Sequence, residues 1–365
     1  MKLKNNFINF LKSIIGPLQI KLLRKILEFS KYRLVINPAS DSSFTRYLIS
    51  RDFRKLPNNE PIQFYNWQTH KVYFQKNDLR GSMSLFKNSY LEYSIIYSLF
   101  YFCKKLKTKC KDVISFDIGA NYGTYSLGLK ELNIPIVLVE PNPFIAKCLS
   151  LSFPKSTIFK NALVPKLNKN KNISINIIPE SSGSSSLLDI NKCIKNKIST
   201  KHKQYIEALS MMTFALDVET IDPVNLFKSY QQYSTAFIKL DIEGVEIDLF
   251  KNKFIDEIQE RFERFVILTE FLGYLLNNSD KDFMISLLGK FPCLILSSSN
   301  NKKQFLEYQN KSFSEIYDQG YDFSNFFKSS LIQNPEELRK ALLNSNDQAD
   351  ILVFSDNNLA NLLIN

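Results

Sequence analysis

Val113-Ile114-Ser115-Phe116-Asp117-Ile118-Gly119-Ala120-Asn121-Tyr122-Gly123-Thr124-Tyr125-Ser126 reads as a short buried strand that breaks into a glycine loop. Its first residues are apolar or β-branched and lead to an acid, which suits a strand covered on both faces. Gly119 and Gly123 give the loop backbone the freedom to approach a ligand closely. Residues 125–132 have helical spacing, so the loop is expected at a strand-to-helix turn, where unpaired N–H groups attract carboxylate or phosphate. Glycine is scarce elsewhere. The chain has 10 in 365 residues, below the usual share of about 7%, yet Gly119, Gly123 and Gly128 fall close together.

The same alternation extends outward. Residues 136–140 read as a second strand ending on Glu140, followed by a helix near 144–151 and a third strand at 157–159. Residues 165–215, rich in Lys, Asn and Ser, read as an insertion or long loop. Strand 236–241, helix 246–250, strand 265–270 and a last strand at 351–354 resume the pattern. This predicts an α/β fold with a doubly wound, mostly parallel sheet. Ahead of it, residues 90–107 read as a helix, and 63–65 and 71–74 are strand-like stretches in a polar segment. Residues 1–31 read as two basic amphipathic helices broken at Gly16-Pro17. The expected organisation is an N-terminal extension, 1–89, and a Rossmann-like domain, 90–365, with the insertion near 165–215.

Composition narrows the function classes. Hydrophobic residues are 44% and charged residues 23%, values of an ordinary globular chain long enough to bury a full core. No apolar run approaches the roughly 18 residues of a membrane span. No secretory leader is recognised, so the chain reads as cytoplasmic. The five cysteines are scattered without a C-x-x-C pair, which argues against a disulfide framework and a structural zinc site. His70 and His202 are the two histidines, too few for a His-rich metal centre, and each reads first as a surface or packing residue. No G-x-S-x-G nucleophile elbow is present. The net charge of +11, with lysine clusters at 104–111, 166–171 and 192–203, fits a solvated surface or attraction to an anionic glycan, lipid head group or nucleic acid.

Glu140 lies 23 residues after Asp117, where an acid ending the second strand can accept the hydroxyls of a ribose. Asn121 replaces the second glycine of the dinucleotide fingerprint, which disfavours NAD, and the missing G-K-[ST] excludes a P-loop. Asp117, Gly119, Asn121, Gly123, Glu140 and Asn142 are therefore the candidate residues for a nucleoside-bearing cofactor. A second constellation, Lys239-Leu240-Asp241-Ile242-Glu243-Gly244-Val245-Glu246, crowds carboxylates at another strand end, where ligands bind in open α/β sheets. Glu246 also suits a helix start, and Lys239 is expected to be buried against a carboxylate.

D-x-G-x-N-x-G, with Glu140-Pro141-Asn142 behind it, resembles the first motifs of class I S-adenosylmethionine-dependent methyltransferases. With K-x-D-x-E-G-x-E added, the chain resembles the FkbM family of methyltransferases. Gly183-Ser184-Ser185-Ser186-Leu187, Thr220-Ile221-Asp222 and Thr269-Glu270 extend the likeness over roughly residues 90–270. The resemblance implies a class I Rossmann-like domain, S-adenosylmethionine as cofactor, and O-methylation of a hydroxyl, often on a sugar, glycan or secondary metabolite. Residues 1–89 lie outside it. A carboxylate near the transferred methyl is then expected to take the hydroxyl proton. Asp241 and Glu243 are the candidates, followed by Glu270; a divalent metal bound by the acids is the alternative. The competing readings are a nucleic-acid methyltransferase, motivated by the charge, and a non-catalytic adaptor that touches a membrane surface through residues 1–31.

Overall fold

The computed structural model describes residues 62–67, 69–75, 78, 93–167, 172–177, 214–296, 311–320, 327, 329–343 and 348–364. The helices expected in 1–31, the serine run at 181–186, His202 and the lysine cluster at 192–203 lie outside the described residues.

The chain opens with β1 (Ile62–Trp67), β2 (His70–Gln75), α1 (Tyr93–Lys109) and β3 (Val113–Ile118). There follow β4 (Ile136–Val139), α2 (Pro143–Ser152), β5 (Thr157–Phe159), β6 (Ala162–Leu163), β7 (Asn172–Ile177) and β8 (Phe214–Ile221). Next come α3 (Pro223–Phe227), β9 (Thr235–Leu240), α4 (Glu246–Lys251), α5 (Phe254–Arg261) and β10 (Arg264–Leu272). The last part holds α6 (Asn278–Leu288), β11 (Cys293–Ile295), α7 (Phe313–Asp318), α8 (Pro335–Leu343), β12 (Gln348–Phe354) and α9 (Asn357–Ile364).

Seven strands form the main sheet in the order β11-β12-β10-β9-β3-β4-β5. The β5-β4-β3-β9-β10 segment is parallel throughout, while β12 runs antiparallel to both of its neighbours. This is a class I Rossmann-like sheet with one reversed strand. Chain direction from β3 leads to β4 on one side, and β9 joins β3 on the other, so the gap between β3 and β9 is the topological switch point where such sheets take ligands. Every residue of β3, β4 and β9 is buried, as parallel strands covered on both faces require.

The pleat sends alternate side chains into two cores. Ile114, Phe116 and Ile118 of β3 and Ala236, Ile238 and Leu240 of β9 pack beneath α3, α4, α5, α6 and α8. On the other face Val113, Phe237, Val266 and Leu268 pack with α1, α2, α7 and α9. The β1–β2 hairpin supplies Trp67, Val72 and Phe74 to this second core. It is tied down by Tyr73 N, which donates to Ser152 Oγ at 2.9 Å, and by His70 Nε2, 2.8 Å from Glu131 Oε1. Glu131 also accepts from Phe313 N and Ser314 N, so it caps the start of α7.

One expectation needs correction. Residues 125–132 do not form an α-helix but two 3₁₀ turns, Thr124–Ser126 and Gly128–Leu132. At Gly128 a Cβ would stand 2.9 Å from the rings of Phe100 and Phe313, so α1 and α7 crowd this segment too closely for a side chain there. A full helix dipole therefore does not stand behind the glycine loop. Within the region read as an insertion or long loop, 165–215, β7 pairs antiparallel with β8, which starts at its far end and also joins β6.

Candidate functional site

The glycine loop begins where β3 ends, and its geometry explains its glycines. Gly119 has φ +75, and a Cβ there would lie 1.7 Å from the backbone oxygen of Asp241. Asp241 N donates to Ile118 O at 3.1 Å, so the ends of β3 and β9 touch backbone to backbone. Gly123, also at φ +75, would drive a Cβ to 2.3 Å from the Phe153 ring. Both glycines are thus required by protein–protein contact, where the sequence suggested room for a ligand. Asn121 occupies the left-handed region at φ 48, which asparagine tolerates better than most residues.

Glu140 stands at the carboxyl end of β4. Its Oε2 accepts from Asn121 N at 2.9 Å and its Oε1 from Asn142 N at 2.8 Å. Burial pushes its pKa up to about 7, against the pull of these two N–H groups and of Lys239. Each carboxylate oxygen keeps a lone pair for a further donor. Asn142 is the N-cap of α2, its Oδ1 accepting from Phe144 N at 3.1 Å, so this side-chain oxygen caps a helix first of all.

Asp117 and Lys239 are register partners across β3 and β9 and point to the same face. Lys239 is buried, with Nζ donating to Gly119 O at 2.7 Å. It lies 3.3 Å from both Asp117 Oδ1 and Asp241 Oδ2, and 4.9 Å from the centre of the Tyr125 ring. Burial pulls the lysine pKa down, but Asp241 and Asp117 together outweigh it and hold the ammonium above its ordinary value. The other oxygen of Asp117 accepts from Ser126 Oγ at 2.7 Å. One ammonium therefore joins the glycine loop, β3 and the end of β9.

A small recess at the strand ends is lined by Tyr125, Lys239, Asp241, Leu268, Glu270 and Asp350. Glu270 and Asp350 are register partners in β10 and β12. Asp241, with 27% of its side chain exposed, is open to this recess. Glu243 is not among the lining residues; with Gly244 it forms a left-handed turn, φ 59 and φ 91. Glu246 is the opposite case. It is buried, Oε1 accepts from Ile242 N at 2.7 Å, and burial, reinforced by Asp241 and Glu270, pushes its pKa up to about 8.

The structure thus gathers Asp117, Gly119, Asn121 and Glu140 around the switch point, with Asn142 and Gly123 supporting them, and brings Asp241 and Glu270 to one recess without Glu243. The sequence reading missed Tyr125 and Asp350. Asp78 belongs to none of the motifs read from the sequence, yet its Oδ2 accepts from the hydroxyl of Tyr122 in the glycine loop at 2.8 Å. Among the described residues no group of three or more His, Cys, Asp or Glu is placed to hold a metal ion. No helix among them is long and apolar enough to cross a membrane.

No family model matches the sequence, and no curated protein matches it. Among solved structures, the chain is similar to the plantazolicin methyltransferase BpumL in complex with SAH, at 10% identity and TM-score 0.33 over 85% of this chain and 95% of that one. It is also similar to an O-methyltransferase from a trans-AT PKS multienzyme of Brevibacillus brevis in complex with S-adenosyl-L-homocysteine, at 9% identity and TM-score 0.30 over 81% and 84%. StiE O-MT gives 10% identity and TM-score 0.26 over 68% and 71%. These likenesses are remote.

Proposed function

We propose that the chain is an S-adenosylmethionine-dependent O-methyltransferase of the FkbM type, acting on a hydroxyl of a sugar, glycan or related metabolite. The observation that carries the cofactor reading is Glu140. A carboxylate so deeply buried at a strand end, with a lone pair left on each oxygen, gains from donors that a ribose diol would bring. The residues present fit the group: Glu140 for the ribose, with the glycine loop and the end of β9 beside it. When bound, S-adenosylmethionine supplies an activated methyl group.

The chain's own task is then to place the acceptor hydroxyl and remove its proton. Asp241 is the residue we assign to that proton, because it combines exposure at the recess with a fixed position against Lys239. Glu270, across the same recess, is the second candidate. Glu243 is disfavoured by its place outside the recess. The FkbM assignment and the sugar or glycan acceptor rest on the sequence motifs. No specific nucleic acid is expected, and peripheral membrane contact through residues 1–31 remains an expectation from their basic amphipathic pattern. Calorimetric titration of the protein with S-adenosylhomocysteine and, separately, NADH tests the reading. Binding of the first alone supports it; binding of NADH alone, or of neither, overturns it.

A further inference from the structure

We propose that the N-terminal β1–β2 hairpin, acting through Asp78 and Tyr122, holds the glycine loop in its left-handed turn and so sets the shape of the cofactor site. This rests on the cofactor reading above for its consequence, though not for the hold itself. Tyr122 stands between Asn121 at φ 48 and Gly123 at φ 75, flanked on both sides by left-handed backbone. Its buried hydroxyl donates to Asp78 Oδ2 at 2.8 Å and accepts from Gln75 N, the last residue of β2, at 3.2 Å. Asp78 is almost wholly buried, so this is a charge-assisted bond shielded from water, the stronger kind.

One residue earlier, Asn121 N reaches Glu140; one residue later, Gly123 N closes on Ala120 O at 2.7 Å. The loop is therefore fixed at three consecutive residues. The middle point is supplied from a part of the chain that carries no cofactor motif. Were the Tyr122 hydroxyl lost, the N–H of Asn121 would no longer be held at its angle to Glu140. Asp78 and Tyr122 are thus positioning residues: they act on Glu140 and the loop backbone rather than on the reacting atoms.

The hairpin also offers its own control. Tyr73 N donates to Ser152 Oγ in α2, a tie of the same hairpin that makes no bond to the loop. Tyr122→Phe removes one hydroxyl, Asp78→Asn keeps an acceptor of lower strength, and Ser152→Ala cuts the tie to α2. Backbone hydrogen exchange over residues 119–126 of the ligand-free protein, and calorimetric affinity for S-adenosylhomocysteine, are compared with the melting temperature of each variant. Tyr122→Phe should speed loop exchange about tenfold and weaken binding about five- to twentyfold. Asp78→Asn should fall between it and wild type. Ser152→Ala should lower the melting temperature while leaving both readings at the wild-type level. Wild-type loop exchange in Tyr122→Phe, or equal acceleration in Ser152→Ala, overturns the proposal. If loop exchange follows the expected order but the wild type does not bind S-adenosylhomocysteine, the hold stands and the cofactor reading falls.

Discussion

Replacing Gly119 by alanine separates two reasons a glycine can be required. The residue sits at φ +75, and its Cβ would stand 1.7 Å from Asp241 O and 2.8 Å from Asp241 C. Left-handed backbone costs an L-residue about 1–3 kcal/mol. The clash is with backbone, which cannot swing aside as a side chain can, and forcing matter into a packed site costs about 1–3 kcal/mol more. Gly119→Ala should therefore lose about 2–6 kcal/mol in urea unfolding. Gly320 supplies the reference: φ is +69 and a Cβ there meets nothing within 4 Å, so Gly320→Ala should show the backbone cost alone, about 1–3 kcal/mol. The difference between the two isolates the closure of β3 on β9. Displacing Asp241 must also disturb its bond to Ile118 O, so affinity for S-adenosylhomocysteine should fall together with stability. If Gly119→Ala costs no more than Gly320→Ala, the ends of β3 and β9 are not in backbone contact.

Three further outcomes follow from the carboxylates. Glu140→Ala removes a charge-assisted acceptor and should weaken S-adenosylhomocysteine about ten- to hundredfold by calorimetry; wild-type affinity should strengthen as pH rises through about 7, and this dependence should vanish in the variant. Glu246 has its pKa raised from 4.5 to about 8, so the folded state holds a proton that the unfolded chain releases: its contribution to stability is full below about pH 4.5 and is lost as pH rises toward 8. Glu246→Gln should reduce that slope, raising stability at pH 8 relative to pH 5 by a few kcal/mol in urea melts, with Glu140 accounting for the slope that stays. Asp241→Asn should lower turnover on a verified hydroxyl acceptor by about 10²–10⁴ with little change in cofactor affinity, and Glu243→Gln should leave turnover near wild type; the reverse order would return Glu243 to the role of base.

The strands were legible because parallel strands buried on both faces are written as short, largely apolar runs, and the runs read at 113–117, 136–140 and 236–241 fall on β3, β4 and β9 to within a residue. Strand direction was not. Ile351-Leu352-Val353-Phe354 carries the same apolar signal whichever way it runs, and the reversal of β12 depends on where the preceding chain delivers it. The carboxylates show a similar limit. Asp241, Glu243 and Glu246 lie on one short segment, but the left-handed pair Glu243–Gly244 resets the phase between strand and helix. That turn opens Asp241 to the recess and buries Glu246, an assignment that spacing alone leaves free. Asp78 was invisible for a plainer reason. Its partner is 44 residues away in sequence, and neither residue has a pattern that names the other.

Lys239 sits between the carboxylates of Asp117 and Asp241. Among the described residues its ammonium is the one cation lining the recess, and it faces Asp117 on one side and Asp241 on the other at equal distances of 3.3 Å. The two partners are not equivalent. Asp241 has 27% of its side chain exposed and can rehydrate if the lysine is lost, whereas Asp117 is buried. Lys239→Met should therefore cost about 3–5 kcal/mol, chiefly because it strands Asp117. Asp117→Asn keeps an oxygen for Ser126 Oγ and removes the stranded charge. Combined with Lys239→Met, it should recover part of the loss, giving a coupling of about 0.5–3 kcal/mol in a double-mutant cycle. Simple additivity would mean that the lysine stabilises through Gly119 O and Asp241 instead. The cofactor readout separates the same alternatives: Asp117→Asn alone should leave Lys239 on Gly119 O and preserve binding, while Lys239→Met releases the glycine-loop carbonyl and should weaken it.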